Sequence, residues 1–190
     1  MLSRSFFDRH PEDFFDFYRE RMLAPDALPS KAHTALAKLE QMGKLTAVIT
    51  QNIDGLHQKA GSQTVYELHG STLRNYCMDC HAFYPLEFIQ SSRGVPRCPV
   101  CQGIVKPDVV LYEEGLDGST ITAAVTALAE SDLVIVGGTS LTVYPAAGLI
   151  GYRGGKLAVI NKTATPADRT ADLCLHQSVG EALTEALSSL

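Results

Sequence analysis

Four of the five cysteines in this 190-residue chain form two closely spaced pairs, Cys77/Cys80 and Cys98/Cys101. In each pair two residues separate the thiols, as in "CMDC" and "CPVC", so each pair can place two sulfur ligands on one tight turn. Two such turns supply the tetrahedral set that zinc prefers. The alternative is four buried thiols that meet by chance. Four sulfur ligands would leave zinc no open position, so the spacing predicts a structural zinc and places any catalysis elsewhere.

A dense polar cluster follows the apolar run at residues 47–49. It begins with Thr50, Gln51 and Asn52 and continues, after Ile53, with Asp54 and a glycine. A surface turn needs only one or two turn-forming residues. The ends of parallel strands are where α/β proteins bind ligands, so this cluster predicts a ligand site.

His69 stands at the end of another predicted strand, in "ELHGS". Histidine is the usual general base near neutral pH, although a lone histidine more often has a structural role. The other polar strand exits favour the catalytic interpretation here.

Two later strand exits carry groups suited to a nucleotide. The segment "GGTSLTVYPAAG" (137–148) is a glycine-rich exit followed by a predicted helix, and Asn161 ends the strand at 156–161. Backbone N–H groups at such a turn suit a phosphate or a nucleotide hydroxyl. The alternatives are a glycine turn needed only for geometry and an asparagine that only forms a turn.

The elements that position these residues alternate between strands and helices. Helices are predicted at 10–24, 30–43, 118–131, 144–153 and 179–189, and strands at 44–50, 64–70, 108–113, 132–138, 156–161 and 172–176. The alternation predicts an α/β fold with a Rossmann-like parallel sheet covered by helices on both faces. Residues 1–73 and 106–190 are assigned to this domain, with a small helical module in 1–43. The cysteine segment, 74–105, is a zinc-ribbon insertion. Cys174 lies in the last strand and is assigned to the core.

The composition excludes some classes of binding partner. Hydrophobic residues make up 45% and charged residues 19%, and the formal net charge is −5. No basic stripe indicates a nucleic acid, and no apolar stretch reaches the length of a membrane span. The first 15 residues lack the apolar core of a signal peptide, so a soluble cytoplasmic protein is expected. Cysteines in a reducing compartment are expected as metal ligands or buried thiols.

The segment "KPDVVLYEE" (106–114) is the last motif. It is either an ordinary sheet member or an edge that pairs with an extended peptide. Together with "TQNIDGLH", "ELHG", the two cysteine pairs, "GGTSLTVYPAA" and "VIN", and in this order over residues 1 to about 180, it resembles the sirtuins, the NAD-dependent protein deacylases.

The resemblance implies roles for individual residues. Asn52 and Asp54 would hold the nicotinamide end of NAD, Gln51 its ribose, and Ile53 would line the same pocket. His69 would be the general base. The strand at 108–113, with Val109, Val110 and Leu111, would pair with the substrate backbone. The adenosine half would be held by Gly138, Thr139, Ser140 and Asn161.

The resemblance also implies a reaction. The carbonyl oxygen of an acyl-lysine attacks the anomeric carbon as nicotinamide leaves, and His69 then helps a ribose hydroxyl attack the resulting imidate. The products are free lysine, nicotinamide and O-acyl-ADP-ribose, with NAD as co-substrate and Zn²⁺ as structural metal. An alternative is a binding module for acylated peptides or ADP-ribose that does not turn them over.

Two departures from the sirtuin pattern stand out. Tyr112, Glu113 and Glu114 occupy the place where aromatic-Gly-Glu is common. The family's first strand and glycine-rich NAD loop, Gly-Ala-Gly-Ile-Ser followed by Ile-Pro-Asp-Phe-Arg, have no counterpart. We therefore expect a truncated gene product, a fragment, or a gene called from an internal Met. A chain without this loop should bind NAD weakly, turn over slowly or not at all, and self-associate through an uncovered sheet edge.

One further pattern concerns the acyl group. Tyr18 and Arg21 put a hydroxyl and a guanidinium three residues apart on a predicted helix, as in sirtuins that remove acidic acyl groups. The alternative is an ordinary exposed helix charge.

Overall fold

The computed structural model describes all residues from Met1 to Leu190. The α-helices are α1 (Arg4–Arg9), α2 (Pro11–Arg21), α3 (Lys31–Gln41), α4 (Leu56–Lys59), α5 (Leu86–Ser91), α6 (Gly118–Ala129) and α7 (Val179–Ser188). The strands are β1 (Val48–Thr50), β2 (Val65–Glu67), β3 (Gly70–Cys77), β4 (Phe83–Pro85), β5 (Val105–Val109), β6 (Leu133–Gly137), β7 (Lys156–Ile160) and β8 (Leu173–Leu175). Two 3₁₀ helices cover Ala146–Tyr152 and Pro166–Thr170. None of the helices combines the length and apolarity needed to cross a bilayer.

The chain divides into two compact units. Unit 1 comprises Met1–Ala27, Gln51–Gly55 and His69–Leu116, and unit 2 comprises Leu28–Thr50, Leu56–Leu68 and Asp117–Leu190. This grouping differs from the predicted one, because the N-terminal helices share a core with the cysteine segment. Phe7, Phe14 and Phe15 are buried in the same apolar cluster as Cys77 and Cys98.

Unit 1 is built on an antiparallel sheet with strand order β4-β3-β5. The sequence predicts 108–113 as a strand of the parallel sheet, and this is wrong. The strand is Val105–Val109, and it runs antiparallel to β3 with Gly70 opposite Val109 and Cys77 opposite Val105. Pro107, expected to stand before the strand, lies within it opposite Asn75. A proline is tolerated there because β5 is an edge strand.

Unit 2 contains the parallel strands. Its strands β1 and β2 form one pair, and β6, β7 and β8 form a separate sheet in that order. The sequence correctly predicts parallel pairing, but the expected single sheet is two sheets. Both contribute to one apolar cluster, in which Leu157 and Val159 of β7 lie with Leu68, which follows β2. Strand and helix alternation predicts pairing direction, whereas the identity of neighbouring strands depends on contacts distant in sequence.

The helices of unit 2 pack against this sheet on both sides. Ala124 and Leu128 of α6 belong to the cluster with Leu157, while α3 and α7 form a second cluster around Ile160 of β7. The predicted α3 is confirmed with its N-cap at Ser30, and Gly43 follows the helix at φ +67°. The predicted helix at 144–153 is instead a 3₁₀ helix over Ala146–Tyr152.

Candidate functional site

The structure brings the four paired cysteines together within unit 1. Their sulfur atoms all lie within 4.8 Å of one another. The Sγ atoms of Cys77 and Cys101 are 3.3 Å apart, and those of Cys80 and Cys98 are 3.6 Å apart. A tetrahedral zinc with Zn–S distances of about 2.3 Å requires sulfur separations of roughly 3.8 Å. The donor set therefore fits a structural zinc.

The surroundings of these thiols favour the ligating thiolate form at Cys98. The Tyr84 hydroxyl lies 3.0 Å from Cys98 Sγ, and this hydrogen bond lowers the pKa of that thiol to about 6. The backbone N–H groups of Val100 and Cys101 act in the same direction. Thiolates are the form that binds metals. No sequence pattern pointed to Tyr84, because it lies outside both cysteine pairs.

The polar cluster after β1 is a loop anchored to β3 within unit 1. The carbonyl oxygen of Ile53 accepts hydrogen bonds from the backbone N–H of Thr72 at 2.9 Å and from its hydroxyl at 3.1 Å. Gly55, at φ +70°, is buried against Leu73, whose Cδ1 would lie 2.5 Å from an added Cβ. The loop therefore has a fixed course, and it carries Gln51, Asn52 and Asp54 on that course.

His69 is held in a definite orientation by the same loop. Its Nδ1 lies 3.0 Å from the backbone carbonyl oxygen of Gln51. A carbonyl can only accept, so Nδ1 carries the proton and Nε2 keeps its lone pair. The structure thus brings His69 and Gln51 together and presents Nε2 as the basic atom.

Gly70 explains why a glycine follows the histidine. At φ +74°, it lies so close to β5 that an added Cβ would be 1.9 Å from the carbonyl oxygen of Asp108. Only glycine permits this approach. The approach allows the backbone N–H of Val110 to donate to the carbonyl oxygen of His69 at 3.0 Å. The backbone of the candidate base is therefore hydrogen-bonded to the backbone of the candidate substrate segment.

The candidate substrate segment is the end of β5 and the residues after it. Val109 and Leu111 are buried, and Val110 is partly exposed. The ammonium group of Lys106 donates to the carbonyl oxygen of Val109 at 2.9 Å and lies 3.3 Å from the Glu114 carboxylate. Burial lowers the pKa of Lys106.

The nucleotide candidates of unit 2 lie at adjacent strand ends. Gly137 of β6 is opposite Ile160 of β7, so the turn at 138–140 and Asn161 follow neighbouring strands. Gly138 has φ +64°, and the Thr139 hydroxyl accepts from the N–H of Leu141 at 3.1 Å. The side-chain nitrogen of Asn161 donates to the carbonyl oxygen of Thr163 at 2.8 Å, which leaves Oδ1 as the group that can accept from a ligand hydroxyl.

Tyr18 and Arg21, suggested as a pair for acidic acyl groups, have different surroundings on α2. Tyr18 is 1% exposed, stacked on Phe14, and burial raises the pKa of its hydroxyl. The Arg21 side chain is 66% exposed and lies 3.3 Å from the carboxylate of Glu20. A residue three positions away on a helix is displaced around the axis, and here the displacement separates core from solvent.

A further set of contacts has no signal in the local sequence. The backbone of Tyr112 pairs with residues 2–4, and the Glu113 carboxylate binds Ser5. Glu114 accepts from the N–H of Leu111 at 2.8 Å and from Arg4 at 3.1 Å. Residues 2–5 lie more than 100 positions from residues 112–114 in the chain, so periodicity and spacing could not reveal the contacts between these two segments.

The fold and these sites define an α/β protein with a four-cysteine structural metal module, an oriented histidine and a glycine-rich strand exit. The chain belongs to the Sir2 family, whose family model matches residues 1–145. This confirms the predicted family and fold class.

Curated relatives agree with this assignment. The chain is 58% identical over 189 residues to the NAD-dependent protein deacetylase of Clostridium perfringens, with 98% of this chain and 78% of the relative covered. It is 61% identical over 185 residues to the enzyme of the same name from Clostridium acetobutylicum, with 96% and 76% covered.

Solved Sir2 structures have the same fold. One described as Sir2 with p53 peptide and NAD⁺ matches with a TM-score of 0.92 and 39% identity, covering 100% of this chain and 82% of that one. Another, of Sir2 with an inhibitor, 2′-O-acetyl-ADP-ribose and deacetylated p53 peptide, has a TM-score of 0.91 and 40% identity, with 99% and 84% covered.

Proposed function

We propose that this protein is an NAD-dependent protein lysine deacylase that releases nicotinamide and forms O-acyl-ADP-ribose. The observation that carries the proposal is the orientation of His69. Its Nδ1 is committed to the Gln51 carbonyl, which leaves Nε2 as the basic atom, and the backbone carbonyl of the same residue accepts from Val110 of the segment proposed to bind the acyl-lysine. The names of the deacetylase relatives support the same activity.

The proposal assigns a role to each group of site residues. Asn52 and Asp54 bind the nicotinamide end of NAD, Gln51 its ribose, and Ile53 lines the pocket. Val109, Val110 and Leu111 bind the acylated peptide. The adenosine half is held by Gly138, Thr139, Ser140 and Asn161.

The proton transfer assigned to His69 takes place at a single atom. When a ribose hydroxyl attacks the carbon derived from the acyl group, Nε2 takes the hydroxyl proton while Nδ1 stays bonded to Gln51. The carbonyl of Gln51 stabilises the doubly protonated ring that results, since both nitrogens of a charged imidazole donate. The zinc module would take no part in this step, because four thiolate ligands leave the metal no open coordination position.

The partners in the proposal are proteins or peptides carrying acylated lysines. A cytoplasmic location belongs to the same proposal, since five cysteines without disulfides suit a reducing compartment.

A nicotinamide-release assay with an acetyl-lysine peptide tests the function. We expect nicotinamide only when both NAD and the acetylated peptide are present, and none with the same peptide bearing unmodified lysine. Calorimetry with each ligand should accompany the assay. Binding of acetyl peptide or ADP-ribose without nicotinamide release would instead establish the alternative, a binding module that does not turn over its ligands.

A further inference from the structure

Glu113 has an unusual backbone conformation for its residue type. Its φ is +78°, in the left-handed region that favours glycine, and glycine is common at this place in the motif that the segment resembles. A glutamate that keeps such a conformation must be held there by surrounding contacts. The backbone conformation favours glycine, so it does not explain why a glutamate stands at this position.

The Glu113 carboxylate supplies such contacts. One oxygen accepts from the backbone N–H of Ser5 at 2.9 Å, and the other accepts from the Ser5 hydroxyl at 3.0 Å. Both bonds go to an ionised acceptor, and hydrogen bonds of this kind are stronger than those between neutral groups. We refer to this pair of bonds as the Ser5–Glu113 contact.

The Ser5–Glu113 contact extends a short backbone pairing. Tyr112 donates its N–H to the carbonyl oxygen of Leu2 at 3.0 Å and accepts from the N–H of Arg4 at 2.9 Å. Ser3 and Tyr112 therefore form a parallel bridge. The N-terminal residues 2–5 run along residues 112–113, so the segment after β5 has a strand-like partner on that side.

The preceding residues of the same segment are hydrogen-bonded within unit 1. The N–H of Val110 donates to His69, and the N–H of Leu111 donates to the Glu114 carboxylate. Residues 110–114 are thus held by His69 at one end and by Ser5 at the other. A change at the Ser5 end can shift the backbone that continues from the candidate peptide-binding residues.

We propose that Glu113 is a positioning residue for substrate: through the Ser5–Glu113 contact it holds residues 110–112 in the conformation that binds an acyl-lysine peptide. This inference rests on the proposed function. A peptide bound as an added strand is recognised through backbone hydrogen bonds, so its affinity depends on the course of the receiving backbone. Ordering that backbone before binding lowers the entropy cost of association.

The decisive variant is Glu113→Gly. Glycine relieves the left-handed conformation and restores the residue common in the motif, so general loss of folding is not expected. Removal of both bonds to Ser5 should nevertheless weaken binding of an acetyl-lysine peptide about tenfold, measured by fluorescence anisotropy on the 190-residue chain. Hydrogen exchange at the Tyr112 amide should become faster.

Two further variants separate the contact from simple loss of a side chain. Glu113→Gln keeps a carbonyl oxygen that accepts from the Ser5 N–H and an amide that donates to its hydroxyl, so affinity should stay within about threefold of wild type. Ser5→Ala removes only the hydroxyl donor and should weaken binding by about threefold. Glu12→Gln, an exposed acid at the start of α2, is the charge control and should leave affinity unchanged.

The outcomes are distinct. If wild type binds the acetyl peptide and Glu113→Gly binds it equally well, or if Tyr112 exchange is unaffected, the positioning role is wrong while the proposed function stands. A wild-type chain that binds no acetyl-lysine peptide would overturn the proposed function together with this inference. If Glu113→Gly loses zinc and exchange protection throughout β3, the comparison of Ser5→Ala with wild type decides in its place.

Discussion

The two units are stabilised by different interactions. Unit 2 has an aliphatic core in which Leu157 and Val159 of the parallel sheet pack against α6. Unit 1 combines an aromatic cluster around Phe14 with four clustered thiols and a network of charged side chains around Glu114. Apolar packing involves no ionisable groups, whereas interactions of thiolates and carboxylates depend on their protonation state.

The difference teaches where each kind of sequence signal is useful. The core of unit 2 follows from hydrophobic patterning, and its order should depend on packing alone. The order of unit 1 should depend in addition on a bound metal and on pH. The residues proposed for base catalysis and peptide binding all lie in unit 1, so the proposed chemistry should be sensitive to conditions that spare unit 2.

Removal of zinc should have the largest effect of the changes considered, and it should reduce hydrogen-exchange protection in unit 1 but not in unit 2. Metal binding by four thiolates contributes up to about 10–16 kcal/mol in small zinc modules, so chelation should abolish exchange protection in β3 and β5. Protection in β6 and β7 should persist. Hydrogen-exchange mass spectrometry with and without chelator, beside elemental analysis for one zinc per chain, measures both.

The matched variants for this prediction are Cys98→Ser and Cys174→Ser. The first removes a ligand and should lower zinc content, whereas the second lies outside the cluster and should not. Equal loss of protection in both units after chelation would show that they are not independently stabilised.

Replacement of the proposed base should affect turnover and not folding. His69→Ala removes the proton acceptor at Nε2 and should lower NAD-dependent deacylation by about 10²–10⁴-fold. His10→Ala replaces an exposed histidine of the same unit and serves as the control. Near-normal deacylation by a folded His69→Ala protein would exclude the role.

A cavity in the core of unit 2 should destabilise without changing metal content. Leu157 is 0% exposed, and Leu157→Ala should cost about 2–5 kcal/mol of the free energy of unfolding. Denaturant unfolding followed with zinc analysis checks this. Replacing the half-exposed Leu173 by alanine is the control and should cost much less. A loss of zinc in Leu157→Ala would contradict the separation of the two units.

The smallest predicted effect is the pH dependence introduced by Glu114. Burial by itself would raise its pKa, but the Leu111 N–H, Lys106 and Arg4 together hold the pKa below its usual value. A carboxylate with a lowered folded-state pKa stabilises above the unfolded-state pKa, and this stabilisation is lost as pH falls through the folded-state pKa.

Glu114→Gln should therefore be less stable than wild type by about 1–3 kcal/mol at neutral pH, and the difference should shrink under acid conditions below about pH 4. Urea unfolding of both proteins across this pH range measures the difference in the free energy of unfolding. Contributions from other titrating groups cancel in this difference, because both proteins contain them. Glu12→Gln should show neither effect. A difference that is constant with pH would mean that the charge of Glu114 is not involved.

How much could be predicted from the sequence differs from feature to feature. The thiol pairs reveal the metal module, because ligand spacing within a turn is a local property. His69 and the polar strand exits are also local signals, since parallel strands end at one edge of a sheet. The boundaries of the elements and the expectation of one continuous parallel sheet are less accurate, because strand neighbours are chosen by packing.

The sequence by itself determined the family, the α/β class and the residue types available for metal binding and base catalysis. Only the tertiary structure decided that β5 runs antiparallel to β3, so that Val110 is bonded to His69, and that Glu113 meets Ser5. It also separated Tyr18 from Arg21, which their spacing had placed together. The physical reason is that local patterns encode which groups face one side of an element. Contacts between distant segments depend on how whole elements pack.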